Sequence, residues 1–348
     1  MLSGSQIRRS SGAGCQVRGK GLAMNTDLKP GQEIDGFRIV AMLGQGSSSE
    51  VVLALDPEDR RVVLKLPHDA AVASTKSFDR FRRELAIASR LAHPGIQRSI
   101  DRRTDRSRPY LVMEYIEGDT LAALLAREGR LPLDRAIDFA IQLADALAYA
   151  HEHGVVHRDI KPLNILVTSG DRLVITDFGI ALLDGARRLT WQMFGDRLGT
   201  PDYMSPEQIQ GKRGDPRSDV YALGGVLFEM LSGSVPWPGH SAIDAMDKHL
   251  TAPVPAIGEL GVDVPPAVEG IVRRCLRKRT DERYPSASEL RRDLEHWREL
   301  DPARFAFADE AAMAPAEEHL LLLVAGVCIA FLASSALLVS VAYLVGHH

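Results

Sequence analysis

Along this chain the spacing of apolar residues changes character once. From Glu33 to Tyr115 they fall in short runs with strand periodicity: Phe37 to Leu43, Glu50 to Leu55, Val62 to Leu66 and Tyr110 to Glu114, with one helical stretch, Ser77 to Leu91, among them. Beyond Leu133 the period lengthens. Ile137, Ala140, Ala144 and Leu147 recur at three or four residues within a predicted helix over Leu133 to His151. Further helices are predicted over Val220 to Leu231, Pro266 to Leu276 and Ser286 to Leu300. The pattern is therefore a small sheet lobe with one helix followed by a larger helical lobe, together spanning residues 33–300. Residues 301–319, rich in Ala and acids and carrying Pro302 and Pro315, read as a juxtamembrane linker.

The last apolar run differs from all the others. From Leu320 to Val345 no Asp, Glu, Lys, Arg or His occurs, a stretch of 26 residues. That exceeds the roughly 20 residues needed to span a bilayer core, so residues 320–345 are expected to form a transmembrane helix. Gly346, His347 and His348 would be a short tail beyond it. Gly326, Ala330 and Ser334 give this helix a small-residue face on which two copies could pair as a homodimer. At the other end, residues 1–32 read as a disordered basic arm. It carries Arg8, Arg9, Arg18 and Lys20, lacks the apolar core of a signal peptide, and contains Met24 as an alternative start.

Composition narrows the function. With 45% hydrophobic and 25% charged residues the chain is a folding sequence, and the net charge of -4 argues against a dedicated nucleic-acid binder. Cys15, Cys275 and Cys328 have neither disulfide-framework nor zinc-cluster spacing.

Three segments carry chemistry. Leu43-Gly44-Gln45-Gly46-Ser47-Ser48-Ser49-Glu50-Val51 joins two strands, where glycines let backbone N–H groups approach phosphate oxygens; an ordinary hairpin turn has the same composition. Lys65 closes the third strand. Glu84 falls on the apolar stripe of the following helix, where it either meets Lys65 or reaches water beside Arg82 and Arg83. Val156-His157-Arg158-Asp159-Ile160-Lys161-Pro162-Leu163-Asn164 then precedes Thr176-Asp177-Phe178-Gly179. This puts three oxygen-bearing side chains on two loops, a set suited to sharing a hard cation with substrate phosphates.

Taken together, these segments resemble the eukaryotic-type (Hanks-type) serine/threonine protein kinase family, over roughly Phe37 to Trp297. Gly199-Thr200-Pro201-Asp202-Tyr203-Met204-Ser205-Pro206-Glu207 resembles the end of that family's activation segment. Asp219 to Gly224 resembles its buried central helix, and Arg283 stands where the family pairs an Arg with Glu207. The compact domain with one membrane helix is most similar to the bacterial membrane-linked branch.

The resemblance implies an α+β, two-lobed kinase fold and transfer of the γ-phosphoryl group of ATP to Ser/Thr hydroxyls of proteins, the chain itself included. Lys65, held by Glu84, would grip the α- and β-phosphates beneath Leu43, Gly44, Gln45, Gly46 and Val51. Asn164 and Asp177 would hold magnesium, with manganese as the alternative. Asp159 would accept the hydroxyl proton, and Lys161 would neutralise charge on the moving phosphoryl group. Backbone groups of Glu114 and Ile116 would meet the adenine edge, with Val51, Val63 and Leu166 against its faces. Arg158 would pair with a phosphorylated loop residue, for which Thr190 is the candidate, while Thr200 would bond Asp159 and Lys161. ATP supply implies that the domain faces the cytoplasm from the cell (inner) membrane. Two positions depart from the family pattern: Ser49 replaces its third glycine, and Val63 its usual Ala. A catalytically silent scaffold of the same fold, or a small-molecule phosphotransferase, would share part of this pattern.

Overall fold

A computed structural model of the chain describes residues 28–45, 49–68, 91–100, 107, 110–178 and 201–305. The predicted helix over Ser77 to Leu91 lies outside them except for Leu91, which is buried and not helical. The apolar stretch 320–345 and residues 1–27 of the expected arm 1–32 also lie outside, whereas residues 28–32 are folded: Leu28 packs on the first lobe's core, and Gly31 N–H donates to Ile39 O at 2.9 Å. Among the described residues no helix is long and apolar enough to cross a membrane.

The first lobe is an antiparallel sheet of five strands in sequence order: β1 (Glu33–Ile34), β2 (Phe37–Gln45), β3 (Ser49–Leu55), β4 (Arg61–Pro67) and β5 (Leu111–Glu114). Side-chain alternation divides its faces. Phe37, Ile39, Val52, Ala54, Val62, Leu64, Leu66, Tyr110 and Val112 form the lobe's own core. Val63 and Lys65, on the opposite face of β4, are buried as well but outside that cluster. The β4 strand is therefore covered on both sides, and its second face turns toward the other lobe.

The second lobe begins with a three-stranded sheet, β6 (Asp119–Thr120), β7 (Ile165–Val167) and β8 (Leu173–Ile175). Its helices are α1 (Leu121–Glu128), α2 (Leu133–Glu152), α3 (Pro206–Ile209), α4 (Pro216–Ser232), α5 (Ala242–Thr251), α6 (Pro266–Cys275) and α7 (Ala287–Glu295). The pattern forecast α2, α4 and α6 closely but gave no sign of α1, α3 or α5. Helix α7 ends five residues before the predicted Leu300, and a separate short turn of helix covers Trp297–Glu299. Residues at the head of the expected linker are folded too. Pro302–Phe305 form a last helical turn on α6, with Phe305 only 9% exposed and packed against Gly270.

Helix α4 is the centre of this lobe. Asp215 caps its first turn, Pro216 opens it, Gly233 closes it in the left-handed region at φ 82°, and nearly every residue between is buried. The stretch Gly95 to Ile100 stitches the two sheets together. Gln97 N–H donates to Ile175 O at 2.9 Å, Ile175 N–H to Gly95 O at 2.8 Å, and Ile100 N–H to Val112 O at 3.0 Å. These bonds fix the end of β8, and so the loop that follows it, against the end of β5.

Candidate active site

Strand register assembles the first half of the site. Gly44, Val51, Lys65 and Leu111 lie opposite one another across four strands, and Val63 lies opposite Leu53 and Met113. Of the predicted glycine loop, Leu43, Gly44 and Gln45 belong to β2 and Val51 to β3, while Gly46 lies outside the described residues. Ser49, at the departed glycine position, is buried in β3.

Lys65 Nζ donates to Asp177 Oδ1 at 2.6 Å, closing the gap between the lobes. Burial pulls the Lys65 ammonium below the usual lysine range. The Asp177 carboxylate opposes this most strongly, then Asp159, while Lys161 adds to the lowering. The lysine therefore feels all three charged groups at once. Glu84, its expected partner, lies outside the described residues.

The loop after α2 builds the other half. Asp159 Oδ2 accepts from Lys161 Nζ at 2.9 Å and from Asn164 Nδ2 at 3.0 Å, and the same Asn164 amide donates to Asp159 O at 2.7 Å. With its nitrogen committed to Asp159, Asn164 keeps its Oδ1 oxygen clear of any donor among the described residues. Asp177 sits at φ +69°, its side chain 23% exposed and one oxygen on Lys65. Asn164 and Asp177 thus present the hard oxygens that a magnesium ion takes, and the donor set fits that ion.

His157 supports both loops. Its Nδ1 accepts from Asp159 N–H at 3.2 Å, which leaves Nε2 to donate to Thr176 O at 2.8 Å. Phe178 packs edge-on against the ring, with centroids 4.7 Å apart. Beneath them lies Asp219, fully buried at the start of α4. It accepts the His157 and Arg158 amides at 2.8 and 2.6 Å and contacts His151 Nε2 at 2.8 Å. In the sequence Asp219 stands out only as the first residue of the stretch resembling a buried central helix. The available signal was the cost of burying a lone carboxylate there without several donors.

Glu114 and Ile116 sit at and just beyond the end of β5. Glu114 N–H donates to Arg98 O at 3.0 Å and its carbonyl accepts from Gln97 Nε2 at 2.9 Å, a contact that no sequence spacing announced. Leu166 lies in β7, half-buried. The expected pair of Glu207 and Arg283 is present, both oxygens of Glu207 taking guanidinium bonds at 2.8 Å and Ser218 Oγ adding another at 2.6 Å. Burial pushes the Glu207 carboxyl up, but the Arg283 guanidinium, with the Ser218 hydroxyl, more than offsets it and holds the group below the usual carboxylate range. Arg158 is described, at φ +65°, whereas Thr190 and Thr200 lie outside the described residues.

Comparison with known proteins agrees with this geometry. A family model described as the protein kinase domain matches residues 37–294. The serine/threonine-protein kinase PrkC of Bacillus subtilis is 37% identical over 266 residues, covering 76% of this chain and 41% of that protein. PknB of Mycolicibacterium smegmatis is 38% identical over 268 residues, covering 75% of this chain and 42% of that one. The chain thus spans about two fifths of the length of these relatives. Among solved structures, the PknI kinase domain of Mycobacterium tuberculosis superposes with a TM-score of 0.60 at 27% identity, over 78% of this chain and 99% of that one. The chain belongs to the protein kinase family, in its bacterial serine/threonine branch.

Proposed function

We propose that this protein transfers the γ-phosphoryl group of ATP to serine and threonine hydroxyls of proteins, itself included. The observation that carries the reading is the meeting of Lys65 with Asp177 beside a loop in which Asp159 is held by both Lys161 and Asn164.

Each residue has a separable task. Lys65 binds the α- and β-phosphates beneath the strands carrying Leu43, Gly44, Gln45 and Val51. Val51, Val63 and Leu166 pack on the adenine, whose edge meets the backbone of Ile116 and the second lone pair of the Glu114 carbonyl, the first being taken by Gln97. Asp159 orients the acceptor hydroxyl and takes its proton as the oxygen bonds to phosphorus and the bond to the diphosphate leaving group breaks. Lys161 stabilises the charge on the moving group. Asn164 and Asp177 would hold magnesium or manganese, which when bound neutralises phosphate charge and aligns the chain of phosphates.

The same reading makes Thr190 the autophosphorylation site that pairs with Arg158, and gives Thr200 a bond to Asp159 and Lys161. It tethers the domain to the cytoplasmic face of the cell membrane through residues 320–345, with Gly326, Ala330 and Ser334 as the face of a homodimer. Incubating the detergent-solubilised chain with γ-labelled ATP, magnesium and a generic basic protein tests the chemistry. Label on Ser/Thr that disappears in Asp159→Asn is expected. No label on any protein acceptor would overturn the assignment, and label confined to small acceptors would redirect it.

A further inference from the structure

Gln208, the residue after Glu207 on α3, links two parts of the molecule through one amide group. Its Oε1 accepts from the Ser205 N–H at 3.1 Å and the Ser205 hydroxyl at 2.9 Å. Its Nε2 donates to the Arg158 carbonyl at 2.9 Å. Exchanging oxygen and nitrogen would set an NH2 against an N–H and an oxygen against a carbonyl, losing two of the three bonds, so the orientation is determined.

The carbonyl that Gln208 holds belongs to the peptide unit leading into Asp159. That unit's N–H donates to His157 Nδ1 at 3.2 Å, so the plane is pinned at both ends. Pinning is needed there. Arg158 has φ +65°, a conformation that costs a non-glycine residue on the order of 1 kcal/mol and persists only where its surroundings impose it. Its N–H is fixed by Asp219 at 2.6 Å and its guanidinium Nε approaches Gly214 O at 3.4 Å. Gly214, at φ +75°, also leaves room for the Gln208 side chain. A Cβ there would come within 3.3 Å of Gln208 Cγ and 2.7 Å of Ser218 Oγ.

We propose that Gln208 is a positioning residue for Asp159, acting through the Arg158 peptide plane and touching neither substrate nor reacting atoms. It thereby couples the end of the activation segment to the orientation of the proton acceptor. The inference rests on the function proposed above for Asp159.

Gln208→Glu separates this task from helix capping. Glutamate at this third helical position keeps the acceptor that Ser205 uses, since Glu and Gln serve a capping box equally. It loses the donor to Arg158 and sets a carboxylate against that carbonyl. A role in capping alone predicts a protein indistinguishable from wild type. Positioning predicts a roughly tenfold fall in kcat with KM for ATP within about twofold, and an unfolding midpoint lowered by no more than a few degrees. Gln208→Leu should show the same fall in kcat together with a midpoint lower still.

Hydrogen exchange at the Asp159 amide, measured on the full chain, supplies a readout independent of turnover. Exchange roughly tenfold faster in Gln208→Glu supports the inference. Unchanged exchange, or kcat within about twofold of wild type, overturns it. Were wild type to transfer no phosphate, the functional reading would fail on its own, and the exchange comparison would still decide whether Gln208 fixes the loop.

Discussion

Asp219 holds the Arg158 amide at 2.6 Å from the buried start of α4, so the loop bearing Asp159 is fastened to the centre of the helical lobe. Charge-assisted bonds of this kind contribute about 1.5–3 kcal/mol each, and Asp219 also takes the His157 amide. Asp219→Asn keeps the shape but sets an NH2 against one of the two amides. Phosphoryl transfer is expected to fall at least about 100-fold. A decrease of less than about fivefold, measured with labelled ATP, would show that the loop holds its shape without this anchor.

Lys65 carries the opposite balance of costs. Its ammonium is buried and drawn below the usual lysine range, so the folded protein gives up solvation to keep it beside Asp177. Lys65→Met removes that cost while Asp177, partly exposed, can be solvated. Thermal unfolding should therefore shift by no more than a few degrees, about what 1 kcal/mol does in a domain of this size. Transfer should fall by about 100-fold or more. Activity surviving in this variant would remove Lys65 from the phosphate site.

Glu207 and Arg283 form a buried bidentate pair in which Arg283 also donates to the carbonyls of Arg277, Arg217 and Lys278. Removing one partner leaves the other charged and buried. Arg283→Leu is expected to cost about 3–5 kcal/mol in denaturant unfolding. The double variant Glu207→Leu with Arg283→Leu should cost less than the two single changes added together. Strict additivity would mean that the pair is not coupled in solution.

How much of this could be read from the residues alone depended on whether the signal was local. The strands β2 to β5 and helices α2, α4 and α6 followed from their apolar residues, α2 and α6 by a buried stripe at helical period, and α4 and β4, which are covered on nearly all sides, by almost unbroken apolar runs. Lys65, Asp159, Asn164 and Asp177 stood out because costly polar types occur at fixed short spacings. The bonds from Asp219 to Arg158, Gln208 to Arg158 and Gln97 to Glu114 join residues separated by 61, 50 and 17 positions, and no period connects them. Helix α5 was missed for a different reason. Only Ala245 and His249 are buried on it, too few to make an apolar stripe.

His249 makes stability depend on acidity. It is 1% exposed, shares a 2.7 Å hydrogen bond with the Tyr221 hydroxyl, and packs edge-on to Trp237 at 4.8 Å. Burial, aided by the nearby Lys278 charge, pushes its pKa down to about 3 from 6.5. Between those values the unfolded chain binds a proton that the folded one refuses. Stability is therefore undiminished above about pH 6.5, falls as the pH drops from there, and loses nothing further from this group below about 3. The slope approaches about 1.4 kcal/mol per pH unit, and because half the unfolded chains are already protonated at pH 6.5 the loss between there and 4.5 is roughly 2 kcal/mol, a substantial share of the ~5–15 kcal/mol that holds a domain folded. His249→Gln keeps an acceptor for Tyr221 but cannot titrate. Guanidinium unfolding at pH 7 and 4.5 should show wild type weakening by about 2–3 kcal/mol more than the variant over that interval. Parallel loss in the two proteins would place the acid sensitivity in groups other than His249; Glu207 is not one of them, because Arg283 holds its carboxyl below the usual 4.5 and its contribution is lost only beneath that pH.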